Sequence, residues 1–352
     1  MEIFEYMESE GHEQLLTWSD SSIGLRAFVA IHDSTLGPAC GGVRIWPHKS
    51  EQDAQLDVLR LSKAMTYKSA IAGLNLGGGK ALIWADSRKD KTPSLLRSFG
   101  RFVDSIGGRY VTTEDVGMTP KDLEYVAEET KYVAGLPLSA GGSGDTSLMT
   151  GYGLYLGMKS CAKATWGHDD LSDRVIAMQG FGNVATNTAK HLLREGARLV
   201  VTDIHDDALV RAREIGVTIV QPDEIFDVEC DIFSPCALGG VLNSKTIPRL
   251  KCSIVAGGAN NQLLHTANAR ELHEMGILYA PDFVVNAGGI INVACEVGTK
   301  YSESRAIELT EKIYDTTFSV IRASREEGVT TVESAIRLAE EIIRKGPGHL
   351  KE

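Results

Sequence analysis

Two groups of residues in this chain have types and spacings that could do chemistry. The first is Gly180-x-Gly182-x-x-Ala185, which follows the apolar run Arg174 to Gln179 and opens a helical stretch to about Arg194. A first glycine permits a tight turn, a second lets the backbone approach a pyrophosphate, and a small third residue lets helix and strand pack closely. Phosphates would meet the amides of Asn183 and Val184 at the positive end of the helix dipole. Asp203 closes the next strand 23 positions after Gly180, near the spacing of about 20 expected of a ribose-binding acid. Ile204 and His205 follow it instead of an arginine that would welcome a 2′-phosphate, so the pattern favours NAD over NADP. Alone, such a glycine pattern is also a packing turn. With strand, helix and acid all in place it implies a bound dinucleotide, FAD being the competitor.

The second group is two lysines and an aspartate. Lys68 lies three positions after Met65 and extends the apolar face of a helix. On that face it must pair with an anion, or else snorkel at the helix end; periodicity leaves both readings open. Lys80 follows Gly77-Gly78-Gly79 and precedes a strand, a setting in which glycines let a ligand approach and set the side chain in a recess. A phosphate loop of the G-x-x-x-x-G-K-[ST] type is excluded by Leu74 and Ala81, which remove a glycine and the magnesium-binding hydroxyl. Asp115 stands in Thr113-Glu114-Asp115-Val116-Gly117 and reads either as a functional acid, as a cap for a helix at Thr119-Pro120, or as a solvated loop acid. No His/Cys cluster has metal-ligand spacing, so no metal is expected.

The elements that must position these groups alternate between strand and helix. Strands are expected at Leu25–His32, Lys80–Ala85, Tyr110–Thr113, Arg174–Gln179 and Arg198–Thr202. Helices are expected at Glu51–Ala70, Pro93–Ile106, Gly151–Thr165, Ser304–Glu327 and Thr331–Lys345. In Glu51–Ala70 the stripe Ala54, Val58, Leu61 and Met65 repeats at helical spacing. The second half reads as a doubly wound parallel sheet of Rossmann type. The expected fold is α/β with two domains: residues 1–140, then 141–330 for the dinucleotide, with 331–352 packing back on the first domain. The composition shift to Gly, Ser and Thr over Leu136–Gly151 marks the crossing.

Bulk properties set outer limits. The 352 residues suffice for two cores. A net charge of −11 argues against a nucleic-acid groove. No apolar run is long enough to cross a bilayer and no signal peptide is visible, so no membrane partner is expected. Six scattered cysteines without a C-x-x-C pair point to reduced thiols and a cytoplasmic protein.

Gly41-Gly42-Val43-Arg44, Met65-Thr66-Tyr67-Lys68, Gly77-Gly78-Gly79-Lys80 and Thr113-Glu114-Asp115-Val116-Gly117 together resemble the leucine/phenylalanine/valine dehydrogenases, relatives of glutamate dehydrogenase. The likeness continues in order through Cys230–Gly240, Asn260–Leu263 and Asn286–Val293. It implies NAD-dependent, reversible oxidative deamination of an apolar L-amino acid, leucine or another branched-chain one, to the 2-oxo acid and ammonia. An aromatic substrate (phenylalanine or tryptophan) or a non-catalytic NAD-binding sensor are the alternatives. It also implies a substrate and oligomerisation domain and an NAD domain separated by a cleft whose closure excludes water, in a homo-oligomer.

By the same resemblance, Lys68 would bind the α-carboxylate. Lys80 would be the general base, burial and a neighbouring cation favouring the neutral amine that a base requires. Asp115 would hold the amino group and the departing ammonia. Gly41, Gly42, Cys40, Met65, Thr113, Ile290 and Val293 would line the substrate, with Thr150, Cys236, Ala237 and Asn261 added to the cofactor contacts. Glutamate dehydrogenases carry a lysine near the Gly-Gly-x-Arg run for the side-chain carboxylate. Here Cys40 precedes that run, and the other lining residues are uncharged, which disfavours glutamate. One departure is the segment Gly144–Thr150, where the family often has two prolines and this chain has none; a looser backbone beside the nicotinamide is expected there.

Overall fold

The apolar stripe of the Glu51 segment buries Ala54 and Val58 and half-buries Leu61 and Met65. Ser50 starts the helix, its hydroxyl accepting the Asp53 N–H at 3.1 Å, which supplies one of the orphan donors of a first turn. The structure is a computed structural model that describes residues 2–347. The chain divides into two units: Met1–Asp145 with Asn292–Glu303 and Ala339–Glu352, and Thr146–Ile291 with Ser304–Leu338. Met1 and the last five positions of the 331–352 segment lie outside the described residues.

The first unit contains, in chain order, α1 (Ile3–Glu10), β1 (Gln14–Asp20), β2 (Leu25–Asp33), β3 (Ala39–Ile45), α2 (Glu51–Ile71), β4 (Gly77–Ile83), α3 (Pro93–Ser105), β5 (Tyr110–Glu114) and α4 (Pro120–Ala127). Its sheet has the order β1-β2-β4-β3-β5. β1 and β4 run antiparallel to β2, while β3 runs parallel to both β4 and β5. One core packs Phe28, Ala30 and Leu82 under Ala54, Val58 and Leu59 of α2. Another packs Val29, Val43 and Ile83 with Phe99 and Phe102 of α3 and Leu123 of α4.

β4 begins three residues before the expected start at Lys80. Its glycines belong to the strand because neighbours press on them. A Cβ at Gly78 would collide with Thr66 of α2, and one at Gly79 would come within 2.7 Å of the Tyr110 ring. Mid-strand glycines weaken a strand by themselves but permit this close approach.

The second unit contains α5 (Ser147–Trp166), β6 (Val175–Gln179), α6 (Asn183–Glu195), β7 (Arg198–Thr202), α7 (Asp206–Glu214), β8 (Thr218–Ile219), β9 (Ile232–Pro235), β10 (Ile254–Val255), α8 (Asn268–Glu274), β11 (Leu278–Tyr279) and α9 (Asp282–Val285). Three more helices complete the chain: α10 (Gly288–Ala294), α11 (Glu303–Glu327) and α12 (Thr331–Lys345). The sheet is parallel throughout in the order β11-β10-β9-β6-β7-β8. Counted within the sheet this is the doubly wound 3-2-1-4-5-6 order, whose direction reverses between β6 and β9.

The proline-free segment differs from expectation. Ser147–Thr150 form the first turn of α5, and the Thr150 N–H donates to the Thr146 carbonyl at 3.0 Å. Without proline rings every amide there can donate, so the helix starts four residues earlier than Gly151. Among the described residues, no helix is long and apolar enough to cross a membrane.

Candidate active site

In the first unit the chemistry gathers at β3, β4 and the segment after β5. Register places Cys40 beside Gly78 and Val111, Gly41 beside Thr112, and Gly42 beside Thr113. Gly42 has no room for a side chain, since a Cβ would come within 2.8 Å of the Asp115 Cβ. At Gly41 a Cβ would collide with the Gly79 carbonyl and stand 3.4 Å from the Met65 side chain. The Tyr110 hydroxyl donates to the Gly41 carbonyl at 2.6 Å and fixes that backbone.

Lys80 is only 7% exposed, and its Nζ lies 2.7 Å from Asp115 Oδ2. Arg44 Nε approaches the same oxygen at 3.2 Å. Burial alone would raise the Asp115 carboxyl, but the Lys80 and Arg44 cations hold it at about 2. It is therefore an ionised acceptor held between two cations. The capping alternative for Asp115 fails: Thr119 caps α4 reciprocally with Asp122.

Lys68 lies in the last turn of α2 and is half-buried. Thr113 is buried, and Cys40 has no solvent exposure. Burial, helped by the charge of Glu296, pushes the Cys40 thiol up to about 12, so it acts as a small neutral side chain. Ile290 and Val293 are buried on α10, Ile290 falling in the second unit and Val293 in the first.

The second unit assembles the dinucleotide pattern at the point where its strand order reverses. Gly180 has φ +93°, a left-handed conformation open to glycine. A Cβ on it would come within 2.7 Å of Ala237, the second residue after β9. Gly182 is the N-cap of α6, has no capping side chain, and faces open space. The amides of Asn183 and Val184 begin the helix there, where first-turn donors lack helical partners.

Asp203 follows β7 and accepts the Phe181 N–H at 2.6 Å and the His205 N–H at 2.9 Å, so it also braces the glycine turn. The Cys236 N–H donates to the Gln179 carbonyl at 2.7 Å, and burial raises its thiol. Gln179 Oε1 and Thr202 Oγ1, at the carboxyl ends of β6 and β7, are buried without a protein partner. Thr150 packs near Gly289, where a Cβ would stand 2.9 Å from its hydroxyl. Asn261 is exposed in a left-handed conformation (φ +52°), with its N–H donated to Asp282.

Sequence reasoning missed three groups. Arg44 was seen only as part of a motif, yet it is the second cation on Asp115. Glu296 accepts the N–H groups of Gly135 and Ser143 and pins that loop. Arg211 of α7 donates to the Phe181 carbonyl at 3.4 Å, bringing a cation to the edge of the glycine turn. Periodicity could place Arg211 on α7, but not over a turn 30 residues earlier.

A buried lysine–carboxylate pair lies in one unit, and a Gly-x-Gly strand–turn–helix lies in the other. Residues 12–132 match the Glu/Leu/Phe/Val dehydrogenase dimerisation domain, and residues 141–210 and 207–345 match the Glutamate/Leucine/Phenylalanine/Valine dehydrogenase domain. The chain is 52% identical over 344 residues to leucine dehydrogenase of Bacillus cereus, covering 97% of this chain and 94% of that protein. It is 45% identical over 340 residues to phenylalanine dehydrogenase of Caldalkalibacillus thermarum, covering 95% and 92%. It superposes on the crystal structure of L-tryptophan dehydrogenase from Nostoc punctiforme with a TM-score of 0.86 and 44% identity, covering 97% and 98%. The chain belongs to the Glu/Leu/Phe/Val dehydrogenase family and is an amino acid dehydrogenase.

Proposed function

We propose that this enzyme deaminates leucine or another branched-chain L-amino acid with NAD, giving the 2-oxo acid, ammonia and NADH. The observation that carries the reading is the buried Lys80–Asp115 pair beside the side-chain-free backbone of Gly41 and Gly42. The open face of Gly182 and the orphaned oxygens at the ends of β6 and β7 fit a dinucleotide. Ile204 and Leu238, 77% and 79% exposed, stand directly after Asp203 and Ala237 and offer apolar surface for an adenine ring. Gly180, Gly182, Asn183, Val184, Asp203, Thr150, Cys236, Ala237 and Asn261 are the residues assigned to hold it.

NAD supplies the acceptor for the hydride leaving Cα. The chain's residues do the rest. Lys68 neutralises the α-carboxylate, and ionised Asp115 accepts from the amino group. Once its own proton has gone, the Lys80 amine takes a proton from the water that adds at the imine carbon. The Lys80 ammonium so formed returns that proton to the nitrogen as the C–N bond breaks, the hydroxyl proton passes to the freed Lys80 amine as the carbonyl forms, and ionised Asp115 accepts hydrogen bonds from the departing ammonia.

Within the first unit, Cys40, Met65, Thr113 and Val293 are the residues assigned to the side chain of the substrate, none of them charged. Glu296, close enough to perturb Cys40, would repel a second carboxylate, which disfavours glutamate. The dimerisation-domain match over residues 12–132 supports a homo-oligomer, and the scattered free cysteines support a cytoplasmic enzyme.

The test is NADH formation with purified enzyme across leucine, valine, isoleucine, phenylalanine, tryptophan and glutamate. A branched-chain substrate should exceed glutamate in kcat/KM by at least about a hundredfold, the equivalent of about 2.7 kcal/mol. Preference for an aromatic amino acid would overturn the substrate assignment, and a preference for glutamate would overturn the pocket argument.

A further inference from the structure

Six cysteines are present and all are free, but two of them face each other. Ahead of the β9–β10 ladder, Glu229 pairs with Lys251; within it, Ile232 pairs with Ile254. Both pairs are offset by 22 positions, and Cys230 and Cys252 share that offset, so the register sets them side by side on the two parallel segments that lead into β9 and β10. The Cys230 N–H donates to the Lys251 carbonyl at 3.2 Å, which carries the pairing through this position. Neighbouring strands stand about 4.8 Å apart, inside the Cα separation of about 4.4–6.8 Å that a disulfide spans. Both residues are half-buried against the core formed by Phe226, Phe233, Leu250 and Val255.

We propose that Cys230 and Cys252 are a redox-responsive thiol pair that closes to a disulfide under hydroperoxide and clips β9 to β10. The pair lies at the amino ends of those strands. Gly180, Asp203 and Ala237 lie beyond the carboxyl ends of β6, β7 and β9, so closure leaves the dinucleotide edge unchanged. In the reaction, a hydroperoxide oxygen is transferred to one sulfur, giving a sulfenic acid and a first water. The second sulfur attacks the first, the S–S bond forms, the S–O bond breaks, and a second water leaves. Two thiols are oxidised by two electrons in total, and one hydrogen peroxide is reduced to two waters.

The experiment treats the full-length enzyme with hydrogen peroxide, blocks remaining thiols by alkylation, and maps cross-linked peptides by mass spectrometry without reductant. Titratable thiols should fall from six to four, with Cys230 and Cys252 in one linked peptide pair. The thermal midpoint should rise by about 5 °C and return on reduction, as expected for a loop of this length. Cys252→Ser should keep basal turnover and lose both the linked pair and the shift. Six titratable thiols after oxidation, a cross-link through other cysteines, or an unchanged midpoint with the link present would each overturn the proposal.

Discussion

Replacing Asp115 with asparagine tests the electrostatic core of the site while changing almost no volume. An ordinary aspartate has a value of 3.8, and here the carboxyl is held at about 2 although burial opposes it. At about 1.4 kcal/mol per pKa unit, the site as a whole favours the charged form by about 2.5 kcal/mol, the burial penalty already subtracted. The side chain is 20% exposed and Lys80 9%, so little of this is lost to solvent screening. Between about pH 4 and pH 2 the unfolded chain binds the proton that the folded site refuses. Stability from this group is therefore complete above about pH 4 and is lost as pH falls through about 2. Asp115→Asn should cost about 2 kcal/mol at pH 7 and flatten that acid limb, read by urea denaturation from about pH 7 down to about pH 2. Turnover should fall at least a hundredfold, the usual scale for removing a positioned proton-handling group. Wild-type stability at pH 7 with an unchanged acid limb would refute the idea that the two cations define this carboxylate.

Other substitutions separate chemistry from binding. Lys80→Ala should abolish turnover while NAD affinity by calorimetry stays within about threefold of wild type; even a tenth of wild-type turnover would sink the general-base role. Gly182→Ala meets nothing within 4 Å, so its thermal midpoint should hold. NAD affinity should nevertheless drop by about tenfold or more if that open face takes the pyrophosphate. His32 is buried between Thr66 Oγ1 and the Glu10 carbonyl, and burial lowers it from 6.5 to about 4. Because the unfolded imidazole protonates first, about 3 kcal/mol should be lost as pH falls from about 6.5 to about 4. His32→Gln should remove most of that slope, and a pH-independent wild-type denaturation midpoint across this range would contradict it.

Legibility in the sequence follows from how local each signal is. The helices Glu51–Ile71 and Thr331–Lys345 were readable because their apolar stripe and end residues lie within the segment itself. The Gly180 turn was readable for the same reason, since strand, glycines and helix are contiguous. β3 went unseen because Ala-Cys-Gly-Gly-Val-Arg-Ile carries two glycines that disfavour a strand locally. Only pairing with β4 and β5 on either side makes it one. α1 and β1 were also missed, as short elements whose burial comes from β2 and α2. The helical start at Ser147 was hidden because a Gly/Ser/Thr-rich run reads as a crossing until its amides find helical acceptors.

Lys68, Lys80 and Asp115 were singled out through the family resemblance, their local spacing leaving other readings open; by itself the sequence determined the α/β class and the Gly180 turn with the acid that follows it. These follow from residue type and short-range spacing. Only the tertiary structure decided that Asp115 is shared by Lys80 and Arg44, that Asp203 braces the turn at Phe181, and that Cys230 lies beside Cys252. Each of those joins residues more than twenty positions apart, where contact depends on strand order and register. Neither is encoded by the local backbone preferences of the residues that meet.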